Sequence, residues 1–310
     1  MLRFLTVRLF HGAIVIFLIS IATFVIMRLM PGDPVYLLLG EGEIRISEEQ
    51  IEAIRVRWGL DKPYWQQYLV WAQNMFLGNF GVSLIRTGVP VRQMIFEAIP
   101  VTAELNAYAL FLSLLIALPV GILAALRKNS VLDYTTSIGS ALGIAIPNFW
   151  LSLMLIVVFS LILGWLPPFG LRSWHGYIMP VIVLATEQMA VLMRVMRGST
   201  IETLTEDYVR TAHAKGLPRY VVITRHAVRN AMLPVVTVIG FRIAFLLSGT
   251  IVVETIFALP GIGRLFTDSV FRLDYQVVQS LVVLFAVLVV FSNIITDLVY
   301  AYVDPRIRIE

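Results

Sequence analysis

Glu187, Gln188 and Arg242 are polar side chains set inside long apolar stretches, as are Asn106, Asn148 and Asn293. Groups of this kind are costly at membrane depth and normally face a cavity or a partner. Glu187 and Arg242 carry opposite charge, and two uses fit them. One is a structural ion pair; the other is contact with a zwitterionic solute in a pore. The ion pair is the favoured reading, because no spacing pattern supports solute binding. The four histidines, His11, His175, His213 and His226, are scattered, and only His11 falls in an apolar run. Metal-ligand spacing is therefore lacking. With no cysteine, the chain has no thiol nucleophile, Fe–S ligand or disulfide framework. No Gly-Lys pair occurs, so a nucleotide-binding G-x-x-x-x-G-K-S/T loop is excluded. The zinc motif H-E-x-x-H and the nucleophile elbow G-x-S-x-G are also missing. No catalytic residue, metal site or resident cofactor is read from the sequence.

The most structured polar segment is 206–234. Glu206 to Lys215 has good helix formers, with acids at the start and a base at the end, as the helix dipole favours. Gly216 can take positive φ and stop that helix, and Pro218 suits the first turn of another. The pattern predicts helix, stop, short helix, then an apolar run. A short, exposed, basic helix beside a membrane bundle is suited to a groove in a partner. A plain positive anchor would need the charges without this Gly and Pro placement.

The elements carrying these residues are apolar helices. Hydrophobic residues make up 58% of the 310, and charged residues only 14%, against roughly 25% in soluble domains. Mean hydropathy is +0.84. Much of the surface must face lipid. Six runs are long enough to cross a bilayer as helices: Leu9–Met27, Leu105–Leu126, Ser137–Leu163, Tyr177–Met193, Pro234–Val253 and Tyr275–Thr296. The first run is too long for a signal-peptide core and is read as a retained span. The net charge of +4 lies in short basic segments between the runs. It orients the chain and does not call for nucleic acid. Arg127 and Lys128, the basic 194–229 segment, and both termini then face the cytoplasm.

The fold class is an all-α membrane protein with an extracytoplasmic insertion after the first span and a cytoplasmic helix between spans four and five. The expected organisation is 1–30 for the N-terminus and first span and 31–99 for the insertion. A five-helix core follows at 100–302, with a cytoplasmic tail at 303–310. In the insertion, Ser47-Glu48-Glu49-Gln50 reads as a capping box for a helix through Trp58, and Pro63 begins another. Tyr64, Tyr68, Trp71 and Met75 share one face of that helix, and Gly78 ends it. The face fits the headgroup level of a bilayer and fits a packed extracytoplasmic cap equally well.

Segment 206–234 resembles the EAA loop of bacterial ABC-importer permeases: E-A-A, three residues, Gly, nine residues, I-x-L-P. Arg210-Thr211-Ala212 stands in the E-A-A place and Ala231-Met232-Leu233-Pro234 in the I-x-L-P place. The first two motif residues differ, Ala replaces Ile, and fourteen residues follow Gly216 before Ala231. These departures resemble the dipeptide/oligopeptide/nickel subfamily, with its R-T-A-x-A-K-G and R-N-A-x-x-P. Other pieces agree in order: Met30-Pro31-Gly32-Asp33-Pro34, Trp58-Gly59-Leu60-Asp61-Lys62-Pro63 and Gly78-Asn79-Phe80-Gly81-Val82-Ser83. So do Ile146-Pro147-Asn148-Phe149-Trp150 and Pro260-Gly261-Ile262-Gly263-Arg264-Leu265. Arg272-Leu273-Asp274-Tyr275 departs slightly from R-D-Y-P.

The resemblance implies the first permease subunit of an importer in the bacterial inner membrane. It implies a second homologous permease, two ATPase subunits that bind ATP and Mg, and an extracytoplasmic solute-binding protein. It implies a coupling helix from His213 to about Thr224. Its coupling residues would be Arg210, Thr211, Ala212, His213, Lys215, Gly216, Leu217, Pro218 and Arg219, with Arg210, Lys215 and Arg219 toward the ATPase. The substrate would be a di- or oligopeptide, with nickel chelate or glutathione as alternatives. A stand-alone ion-coupled carrier using Glu187 is the rival from another class.

Overall fold

A computed structural model describes residues 2–29, 52, 56, 61–86 and 88–303; the side chains of 2–5, 241–249 and 297–303 lie outside the description. The expected capping box at 47–50, the Met30–Pro34 motif and the 304–310 tail also lie outside the described residues. The described residues are helical, with one isolated bridge, Val82 to Pro90, and no strand. Eleven helices are named here: α1 (Leu2–Leu29), α2 (Tyr64–Phe76), α3 (Val91–Leu126), α4 (Val131–Ala145), α5 (Asn148–Leu155), α6 (His175–Leu204), α7 (Asp207–Ala214), α8 (Arg219–Val221), α9 (Arg229–Ile256), α10 (Ile262–Phe271) and α11 (Tyr275–Val303). π-helical turns at Ile156–Ile162 and Val222–Val228 extend α5 and α8. Among the described residues, four helices are long and apolar enough to span a membrane, and the α4–α5 pair makes a fifth candidate.

The third apolar run, expected as one helix over Ser137–Leu163, is broken. α4 and the α5 run meet at 99°. Pro147 forces the preceding residue out of helical geometry. Ile146 (φ −76°, ψ 119°) and Pro147 (φ −66°, ψ 138°) are accordingly extended. Hydropathy shows no gap there, since the break removes no apolar residue.

The chain forms two compact units: one takes residues up to Pro100 plus Pro260–Phe291, the other Val101–Leu259 plus the chain from Ser292. In the first unit, α2 lies on α1. The Tyr68 hydroxyl pairs with Ser20 Oγ at 2.8 Å, and Tyr68 and Trp71 flank Phe24 at 5.6 and 5.9 Å between ring centroids. Met75 Sδ stands 3.8 Å from Ser280 Oγ of α11, whose hydroxyl donates to Gln276 O at 2.7 Å. The aromatic face is therefore packed, apart from Tyr64, which is exposed. Gly78 (φ +76°) ends α2 as expected: its N–H donates to Met75 O and that of Asn79 to Asn74 O.

In the second unit α6 is the hub. Lipid is as apolar as leucine, so helices associate in it through close packing and hydrogen bonds. Small residues supply the closeness. A Cβ on Gly143 of α4 would stand 2.9 Å from Ala190 Cβ of α6, and one on Gly121 of α3 would stand 3.0 Å from Met196 Cβ. Ser113 Oγ of α3, donating to Ala109 O at 2.6 Å, also stands 3.1 Å from Ala185 O of α6. Arg197 of α6 forks onto the buried carboxylate of Asp133 in the first turn of α4: Nη2 donates to Oδ2 at 2.9 Å and Nε to Oδ1. Asp133 also accepts the Asn129 N–H at 2.9 Å.

Candidate functional site

Segment 206–234 folds largely as its Gly and Pro demand. α7 ends at Ala214. The Gly216 N–H donates to His213 O at 2.9 Å and the Leu217 N–H reaches Ala212 O at 3.4 Å. This double closure requires a left-handed residue at Gly216, and its φ is +73°. Nothing lies within 4 Å of a Cβ built there, so backbone conformation and not space selects glycine. Pro218, extended at ψ 143°, precedes α8. The stretch from His213 to about Thr224 is thus not one helix but two joined by a turn. The second does not stay short. It runs through the π turns of Val222–Val228 without interruption into α9, to Ile256.

The segment has a buried root and an exposed tip. Val209, Ala212 and Val222 form a small apolar cluster that fixes α7 against the start of the following helix. Arg210, Thr211, His213, Lys215, Gly216, Leu217, Pro218, Arg219 and Tyr220 are exposed. Arg210 lies 3.7 Å from Asp207, with both side chains in water, so this ion pair holds little. Thr211 Oγ1 donates to Asp207 O at 2.9 Å, and His213 Nδ1 stands 3.1 Å from Val209 O. The histidine serves the helix backbone. Arg210, Lys215 and Arg219 are left on the tip with their charges facing out.

The polar residues expected within spans stand on several helices. Asn148, half-buried, opens α5 just after the break, and its carbonyl accepts from Ser152 Oγ at 2.8 Å. Glu187 is half-buried on α6, and Gln188 beside it is buried. The Arg242 side chain lies outside the described residues. Sequence reading missed Glu254, the fully buried acid near the end of α9, which accepts from Thr102 Oγ1 at 2.6 Å. The expected fifth run, Pro234–Val253, ends one residue short of it. Glu254 is, with Arg242, one of two charges between Pro234 and Leu259, and that was its signal.

Apolar helices of spanning length, packed by glycine contacts and carrying a water-exposed basic turn, define a multi-pass membrane protein. The chain belongs to the family described as binding-protein-dependent transport system inner membrane component, whose profile matches residues 117–309; the companion N-terminal profile matches residues 1–106. It is 43% identical over 300 residues to the oligopeptide transport system permease protein AppB of Bacillus subtilis, covering 94% of each chain. It is 37% identical over 309 residues to the dipeptide transport system permease protein DppB of Lactococcus lactis, covering all of both. It is 38% identical over 308 residues to the glutathione transport system permease protein GsiC of Escherichia coli, covering 99% of each. The chain is a transporter subunit and not an enzyme.

Proposed function

We propose that this chain is a pore-forming subunit of an ATP-driven importer of short peptides in the bacterial cytoplasmic membrane. It crosses the membrane six times, α9 supplying the remaining span, with both termini in the cytoplasm. Residues 31–99 stand outside and 303–310 inside. The chain works with a second permease, two ATPase subunits that carry ATP and Mg, and an extracytoplasmic binding protein. The relatives' names span oligopeptides, dipeptides and glutathione; their shared chemistry is a short peptide. Glu187 and Gln188 on α6, Asn148 at the bend and Arg242 are the polar groups available to the path or to its support.

One observation carries the coupling role: the capped turn at Gly216 is exposed at its tip, anchored by Val209, Ala212 and Val222, and continuous with the helix that ends at Ile256. A push on Arg219 is therefore delivered along a stiff rod into the apolar bundle. Arg210, Lys215 and Arg219 meet the ATPase, while Gly216 and Pro218 set the angle between α7 and α8. Gly216→Pro tests this. Proline locks φ near −65° and removes the N–H that bonds His213 O. The variant is expected to insert and assemble but to lose ATP-driven peptide uptake. Uptake at the unsubstituted rate would end the proposal.

A further inference from the structure

Arg28 stands at the end of the apolar stretch Thr6–Leu29 of α1, half-buried, with Cζ 5.2 Å from the centroid of Phe24. Its Nε is buried and makes no hydrogen bond. It opens into a cavity of about 210 Å³ between α1, α2, the turn at Asn79–Gly81 and α11. The second cation at this cavity is Lys62, on the rim; no carboxylate lines it among the described residues. The other polar groups are amides: Gln67, Asn74, Asn79, Gln276 and Gln279. Gly81, at φ +78°, lets the backbone approach Gln276, whose Oε1 would be 3.1 Å from a Cβ placed there. Phe24 and Trp71 supply apolar wall.

Among the described residues, two cations and five amides without an acid make a receptor for an anion with several acceptor oxygens. An arginine whose Nε is buried without a hydrogen bond is completed by such a partner, because the lost hydration of that group is otherwise uncompensated. The depth narrows the source. Arg28 closes a membrane-length apolar helix, and Tyr68 and Trp71 pack on Phe24 one turn before it, the level at which aromatic side chains meet headgroups. We propose that this cavity binds the phosphate of a net-anionic phospholipid headgroup, with Arg28 as the principal ligand and Lys62 at the rim. Lipid would then brace α2 against α1 and α11. The inference rests on the membrane placement of α1 and not on the coupling role of Gly216.

The test uses the full chain in the assembly isolated from its membrane. This is reconstituted in nanodiscs of phosphatidylcholine doped with phosphatidylglycerol, and retained lipid is read by native mass spectrometry. Arg28→Gln is expected to lower phosphatidylglycerol retention about fivefold, the usual effect of one basic group at an anionic surface. Lys62→Gln, exposed and harmless to packing, shifts retention the same way and serves if Arg28→Gln fails to assemble. Arg28→Lys restores retention. Arg92→Gln, which removes an exposed arginine stacked 5.4 Å from Phe96, leaves it unchanged. Retention unaltered by both Arg28→Gln and Lys62→Gln, or equally lost in Arg92→Gln, overturns the proposal. Displacement of the lipid by inorganic phosphate, with phosphate bound in pure phosphatidylcholine discs, assigns the site to a soluble anion and overturns the lipid source.

Discussion

Ser83 donates its hydroxyl to the carboxylate of Asp274, a residue 191 positions away, and that carboxylate also accepts the N–H groups of Leu84 at 3.1 Å and Ile85 at 3.4 Å. Two of the short motifs that carry the family resemblance, Gly78–Ser83 and Arg272–Tyr275, therefore meet in one buried hydrogen-bonded knot. Ser83 Oγ in turn accepts the Arg86 N–H at 2.8 Å, so the knot shapes the whole turn after α2.

Asp274→Ala leaves the Ser83 hydroxyl and two N–H groups without their acceptor. Hydrogen bonds to a buried charged group are among the stronger ones, and the expected loss is about 3 kcal/mol. Because the chain has no cysteine of its own, a single cysteine in place of Ala98, buried on α3 and lining the same cavity as Asp274, reports the loosening. Its maleimide labelling should speed up in Asp274→Ala. Equal labelling rates and an unshifted melting temperature would show that the knot holds nothing.

The Arg197–Asp133 fork gives an asymmetric expectation. Arg197→Ala leaves a buried carboxylate with one remaining backbone donor, at Asn129, a loss of about 3 kcal/mol. Replacing both partners by apolar residues removes the stranded charge and should recover part of that loss. Thermal unfolding in detergent compares the two. A double variant less stable than Arg197→Ala would contradict a role for the buried charge.

Ala258 follows α9 at φ +53°, in the left-handed region, where its N–H donates to Thr255 O and that of Leu259 to Glu254 O. The geometry matches the Gly216 turn without the glycine. An L-residue carries about 1 kcal/mol of strain in that conformation. Ala258→Gly is expected to raise the melting temperature by a few degrees and to leave uptake unchanged; a lowered melting temperature would count against the strain.

The local part of this molecule was legible in its sequence. Gly78, Gly216, Pro63 and Pro218 act on their own backbones, so helix ends at these positions follow from residue type alone. The apolar runs were legible too, as composition demands. Pro147 carried its signal, yet the uncharged stretch around it read as one span because hydropathy does not register a bend. What stayed hidden was pairing at a distance. Nothing near Ser83 announces Asp274, and nothing near Asp133 announces Arg197. Glu254 read as a boundary, where the fold instead buries it beside Thr102. The run of helix from Arg219 to Ile256 was hidden as well, since Pro234 suggested a fresh start and the helix absorbs it in its interior.

The coupling role is tested most directly at Leu217, on the exposed turn between α7 and α8. Leu217→Cys, in a chain otherwise free of cysteine, is treated with a short bifunctional maleimide in the intact assembly, with and without ATP. A covalent adduct with an ATPase subunit is expected, in a yield that changes with nucleotide. A cysteine there that labels freely, forms no ATPase adduct in either state and sits in an assembly still importing peptide would contradict the transmission of force through this turn.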